Sequence, residues 1–136
     1  MPRFSHQFTV SWVETDALAV VHFSNYFRYF ERAEQEFYGS SGAAQGSVME
    51  RYGVAFPRVE AHCEYDSPMK FGDSGRTDLS LLEIKDKSVK IRFEITNITT
   101  GKLSAHGSVT LVCVDTRAWK AVTIPQDLRE ILGKLA

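Results

Sequence analysis

Trp12 to Phe27 reads WVETDALAVVHFSNYF. Two carboxylates, Glu14 and Asp16, precede an apolar run from Ala17 to Val21, then His22 and an aromatic segment that carries Asn25. A carboxylate can act as a nucleophile or as the general base for a water. The amides that open a helix have no partner within it and sit at the positive end of its dipole, so they favour negative charge beside them. Together these groups suit attack on a carbonyl, with the oily turn between them forming a dry wall. Spacing alone does not decide it, because Asp also favours ordinary turns. Glu14 reads as a solvated charge at a strand end. His22 either orients Asp16 or a substrate, or packs as a hydrogen-bonded histidine. Asn25 either orients the turn, contacts a substrate or is a plain first-turn helix residue.

Other reactive types point to less. His6, His62 and His106 are scattered through apparent strands without metal-ligand spacing, and no metal site is expected. Cys63 and Cys113 lie far apart without a CxxC motif, and each reads as a buried thiol. No glycine-rich phosphate loop of the GxGxxG or P-loop type occurs, so no dinucleotide or ATP site is expected.

The elements that must hold the opening motif follow from hydrophobic period. Phe4, His6, Phe8, Val10 and Trp12 alternate and predict a strand from Phe4 to Trp12. From Phe23 the spacing changes: Phe23, Tyr26, Phe27, Phe30, Ala33 and Phe37 recur every three or four residues, the apolar stripe of a helix that Gly39 would stop. A short helix is expected at Ser47 to Tyr52. Period two then returns at Val59 to Tyr65, Thr77 to Lys85, Val89 to Ile95 and Leu103 to Val114, with a hairpin turn at Thr99 to Lys102. Short connections after Tyr65 predict an antiparallel meander. Thr123 to Gln126 reads as a capping box, ahead of a helix burying Leu128, Ile131, Leu132 and Leu135. The order predicts an α+β fold, one antiparallel sheet of about five strands wrapped around one long, unusually apolar helix.

The chain has 136 residues, the length of a single domain, here taken as 1–136. A net charge of −1 gives no whole-protein reason to expect a nucleic-acid or membrane partner. MPRFSHQFTV lacks the apolar core of a signal peptide. Ala17 to Val21, the longest purely apolar run, falls far short of the roughly 20 residues of a membrane span. A cytoplasmic protein is expected.

This order of elements, together with the opening motif, resembles the hotdog-fold acyl-CoA thioesterases, specifically the 4-hydroxybenzoyl-CoA thioesterase and YbgC-like group. The resemblance runs from about Phe8 to Pro125. Its most specific part is Asp16, the turn Ala17 to Val21, His22-Phe23, Asn25-Tyr26 and Glu31-Arg32-Ala33; a weaker match is Pro57 to Asp73, a strand leading to a Pro-x-x-x-Gly-Asp turn. One departure stands out: that family usually has glycine at one of the two positions before the paired valines, where this chain has Leu18-Ala19.

The resemblance implies thioester hydrolysis with Asp16 as nucleophile or general base. It also implies the Phe23 amide, assisted by Ser24, as donor to the carbonyl oxygen. It places Tyr26, Phe27, Phe56 and Pro57, with Met69, around the acyl group, some from a neighbouring chain. It puts the nucleotide on Lys85 and Lys87, with Lys120 a similar candidate; all three lysines read equally as solvated turn residues. The pantetheine arm is expected beside the strand around Val59. Coenzyme A would be part of the substrate, with no separate cofactor, and the chain would form a homodimer or a tetramer. Because some hotdog enzymes carry the catalytic acid on the central helix, Glu31, Glu34 and Glu36 are rivals to Asp16. A hotdog dehydratase or hydratase is the first alternative, although its Asp-x-Asn-x-x-His pattern is absent. A non-catalytic module binding acyl-CoA or acyl-carrier protein is the second.

Overall fold

The computed structural model describes residues 4–41 and 50–136. In chain order the elements are β1 (Phe4–Thr9), a 3-10 turn (Trp12–Glu14), α1 (Asn25–Ser40), β2 (Val54–Ala55), β3 (Arg58–Tyr65), β4 (Ser74–Ile84), β5 (Ser88–Asn97), β6 (Lys102–Val112), β7 (Val114–Asp115) and α2 (Gln126–Gly133). Five strands form one antiparallel sheet in the order β1-β4-β5-β6-β3, and β2 pairs with β7 apart from it. This is the expected α+β hotdog arrangement. No helix among the described residues is long and apolar enough to cross a membrane.

The helix is the core because its aromatic stripe meets the inward faces of the strands. Tyr26, Tyr29, Phe30, Ala33 and Phe37 are all buried. Phe30 stacks on Phe93 of β5 at 4.7 Å, Phe8 of β1 stacks on Tyr29 at 4.1 Å, and Phe4 meets Phe37 edge-on. Val89, Ile91, Phe93 and Ile95 form the inner row of β5, as their alternation with charged residues predicts. Helix α2 buries Leu128 and Leu132, and the Leu135 carbonyl that follows it receives the Leu81 N–H at 2.8 Å.

Four expectations need correction. β1 ends at Thr9, and Trp12 is exposed, because the chain turns there into the 3-10 segment. The meander holds for β4, β5 and β6 only; β3 lies at the sheet edge beside β6. Residues 66–73 cross the end of the sheet instead, tied to β6 by Asp66 N–H on the Ser104 carbonyl and to the end of β1 by Val10 N–H on the Asp73 carbonyl. The long helix starts at Asn25 rather than Phe23. Thr123 forms no capping box: Pro125 precedes α2, and the Thr123 hydroxyl donates to Asp86 Oδ2 at 3.0 Å. Of the helix expected at Ser47 to Tyr52, residues 50–52 are helical and 47–49 lie outside the described residues. The turn at Thr99 to Lys102 forms as expected, with Gly101 at φ +75° donating to the Asn97 carbonyl.

β3 depends on one glycine. Gly107 of β6 faces Cys63, and a Cβ there would meet the His62 carbonyl oxygen at 1.9 Å. That neighbour is backbone and cannot swing aside. Gly107→Ala is therefore expected to force β3 from β6 and to cost about 3 kcal/mol, read as a lower urea midpoint. A midpoint matching the parent would show that the strand pair absorbs the methyl group.

Candidate active site

The motif folds as a tight reverse turn that brings Glu14 back to the start of α1. Thr15 and Val21 form an isolated antiparallel bridge, and Asp16 N–H donates to the Val20 carbonyl. Ala19 N–H closes the turn on the Asp16 carbonyl at 2.9 Å. This places Ala19 at φ +63°, the left-handed region, which costs a residue with a Cβ about 1–2 kcal/mol. Ala19 is one of the two positions where the resembling enzymes have glycine. The turn forms without it, with the strain held in place by its hydrogen bonds.

Glu14 is the structural hub of the region and not the solvated charge that its sequence context suggests. It is 8% exposed. Its Oε1 accepts the Ser11 N–H at 2.8 Å and the Tyr29 hydroxyl at 2.9 Å. Its carbonyl accepts the His22 N–H at 2.9 Å and Asn25 Nδ2 at 2.8 Å, so Asn25 orients the turn. His22 Nδ1 accepts the Ser24 N–H and lies 2.7 Å from the Ser24 hydroxyl, while its ring stacks on Phe23. His22 thus packs at the helix start, with no hydrogen bond to Asp16. The amides of Ser24 and Asn25 are taken by His22. Among the described residues the Phe23 N–H has no acceptor.

Asp16 and Phe23 wall one cavity of about 410 Å³. Leu18, Val20 and Val21 supply the oily side, and Tyr26, Tyr65 and Pro68 close it opposite. Asp16 Oδ1 accepts the Leu18 N–H at 2.8 Å, which fixes the carboxylate; Oδ2 takes no hydrogen bond among the described residues. Burial pushes the Tyr26 hydroxyl up to about 12, so it remains a neutral donor at pH 7. Tyr65 donates its hydroxyl to the Phe23 carbonyl at 3.0 Å and pins the edge strand to the helix start. Sequence reasoning missed Tyr65, which sits in a strand of exposed residues and carries no local signal. Glu14 did carry one: Ser11-x-x-Glu14 has capping-box spacing, and Glu14 makes the reciprocal bond to Ser11.

The remaining candidates separate. Phe27 lines a smaller cavity of about 220 Å³ one helical turn further on, with Phe30, Glu31 and Glu34. Phe56 and Met69, expected around the acyl group, are core residues at 8% and 0% exposure, although the Met69 carbonyl receives Val21 N–H and so braces the turn. Pro57 uses its carbonyl to accept Val112 N–H, and Val59 is exposed on the edge strand. Of the rival acids, Glu36 is exposed, and Glu34 is buried with both oxygens on Arg58 Nη2 at 2.8 and 2.9 Å. Neither Glu31, Glu34 nor Glu36 borders the Asp16 cavity. Burial pushes the Cys63 thiol up to about 11, which leaves it protonated and unreactive at neutral pH. No group of three His, Cys, Asp or Glu among the described residues could hold a metal ion.

Lys85, Lys87 and Lys120 gather at the other end of the sheet. Lys85 and Lys87 flank the β4–β5 hairpin, where the Lys87 carbonyl accepts Cys113 N–H; the Lys120 carbonyl accepts Asp115 N–H nearby. The 11 residues of β4 separate that end from the turn beside Asp16, roughly 35 Å along the strand. One protomer does not bring these lysines to Asp16.

The model of the thioesterase-like superfamily matches residues 10–132. The chain belongs to that superfamily. Within it, a hypothetical protein (AQ1494) from Aquifex aeolicus is 32% identical, with 95% of this chain and 98% of that one covered and a TM-score of 0.87. The acyl-CoA thioesterase YbgC of Haemophilus influenzae is 26% identical over 93% of this chain and 91% of its own length. Slr0204, a 1,4-dihydroxy-2-naphthoyl-CoA thioesterase from Synechocystis, superposes with a TM-score of 0.90 over 97% of this chain and 96% of its own; at 20% identity that likeness speaks for the fold alone.

Proposed function

We propose that this member of the thioesterase-like superfamily hydrolyses an acyl-CoA thioester to the free acid and coenzyme A, with Asp16 as nucleophile or general base. The carrying observation is the single cavity walled by the Asp16 carboxylate and by Phe23, whose N–H, just ahead of the helix, has no acceptor among the described residues. The thioester carbonyl oxygen, on becoming an oxyanion, would accept from that N–H at the positive end of α1. Asp16 would attack the acyl carbon, giving an anhydride that water opens, or would take a proton from an attacking water. Either route expels the thiolate. The apolar turn wall excludes bulk water from the acyl group and strengthens both interactions. Coenzyme A is part of the substrate, and no separate cofactor is required.

The chain would act as a homo-oligomer. Every residue of β3 but Cys63 is exposed, including Val59 at 62%. Such an open edge pairs with a second copy. Thiol release followed with DTNB over short, long and aromatic acyl-CoAs tests the activity, and cleavage of at least one class is expected. A protein that binds acyl-CoA without releasing thiol would be a binding module. One that consumes enoyl-CoA without releasing thiol would be a hydratase.

A further inference from the structure

We propose that the phosphates of the coenzyme A nucleotide bind in a basic cleft of the same protomer, between Lys70 and Lys102. This rests on the acyl-CoA reading of the Asp16 cavity. The cleft, of about 400 Å³, lies between Ser67-Pro68 on one side and Lys70, Asp73, Thr100 and Lys102 on the other. Ser67 and Pro68 also wall the Asp16 cavity, so the two hollows meet along one ridge. A thioester carbon held at Phe23 would send its pantetheine arm across that ridge. The nucleotide would then arrive among the lysines.

The charges favour an anion there. Neither Lys70 nor Lys102 belongs to an ion pair among the described residues, whereas Lys85 pairs with Glu83 at 3.5 Å. Asp73, the one carboxylate in the cleft, has its Oδ2 occupied by the Lys70 N–H and by Asn97 Nδ2, both at 2.9 Å. Asp66, on the rim of the Asp16 cavity, is covered by His106 Nδ1 at 2.8 Å, and that contact raises the imidazole's affinity for a proton. Two compact ammonium groups with free donors are well suited to phosphate oxygens. The lysines expected from sequence stand at the far end of the sheet from this cavity, beyond the 11 residues of β4.

The test compares Lys70→Glu/Lys102→Glu with Lys85→Glu/Lys87→Glu in the full chain. Each is assayed on one acyl-CoA and on the N-acetylcysteamine thioester of the same acyl group, which lacks the nucleotide. The Lys70/Lys102 variant is expected to raise KM for acyl-CoA at least about tenfold, with kcat and all parameters for the short thioester unchanged. The Lys85/Lys87 variant should leave both substrates alone. An unchanged KM in the first variant, or a rise confined to the second, overturns the assignment while leaving thioester hydrolysis intact. If the wild type cleaves neither thioester, the activity reading fails by itself. Calorimetric titration with free coenzyme A then decides the cleft: binding lost in Lys70→Glu/Lys102→Glu supports it, and binding retained or absent in the wild type overturns it.

Discussion

Asp16→Asn is expected to lower turnover of the preferred acyl-CoA at least ~100-fold, the scale of losing a general base or nucleophile, while the protein stays folded. The substitution is nearly isosteric. Its side-chain oxygen still accepts the Leu18 N–H that orients Asp16, so the turn carrying Ala19 in the left-handed region persists. What disappears is the negative charge that attacks the acyl carbon or takes the water proton. The Phe23 amide and the apolar wall remain, so KM should change far less than kcat. Turnover by DTNB, beside a thermal melt of each protein, reads both parts. A variant that keeps near-parental turnover would remove Asp16 from the chemistry.

Glu14→Ala is expected to destabilise the fold by about 3 kcal/mol, since unpaired buried polar groups cost about 1–3 kcal/mol each. Tyr29 is 1% exposed, and burial together with its bond to Glu14 keeps its hydroxyl protonated as a donor. Without the carboxylate, that hydroxyl has no acceptor and the Ser11 N–H loses its own. Arg32, 3.6 Å from Oε2 and half-exposed, contributes little. Glu14→Gln should therefore retain most of the stability, because its amide oxygen can still accept from Tyr29. Activity in Glu14→Ala should fall too, since the same residue's carbonyl ties His22 and Asn25 to the turn. Urea unfolding of the three proteins checks the order. Equal midpoints for Glu14→Ala and the parent would show that water replaces the carboxylate at no cost.

The parts of the fold that repeat were legible in the sequence. The three-and-four spacing from Tyr26 to Phe37 and the alternation from Val89 to Ile95 each bury the face they advertise. Asp16, the oily turn and Phe23 also fell together as the motif implied, because all lie within one short, locally hydrogen-bonded segment. What the local pattern did not show depends on distant partners. Glu14 looked solvated because its buried neighbour Tyr29 lies beyond the motif, on the helix 15 residues further along the chain. The burial of Phe56 and Met69 within the protomer was not legible either, because an apolar side chain does not reveal which side of the core it faces. The distance of Lys85 and Lys87 from Asp16 was not legible because it is set by the length and direction of β4, which a local pattern does not place relative to the turn.

The most direct test sets the turn acid against the helix acids. Turnover of the preferred acyl-CoA is measured for Asp16→Asn, Glu31→Gln and Glu34→Gln, each verified as folded by its melt. The Asp16 variant should lose at least ~100-fold, with both helix variants staying within a few-fold of the parent. Loss in Glu31→Gln or Glu34→Gln with Asp16→Asn still active would move the chemistry from the turn to the helix and contradict the assignment.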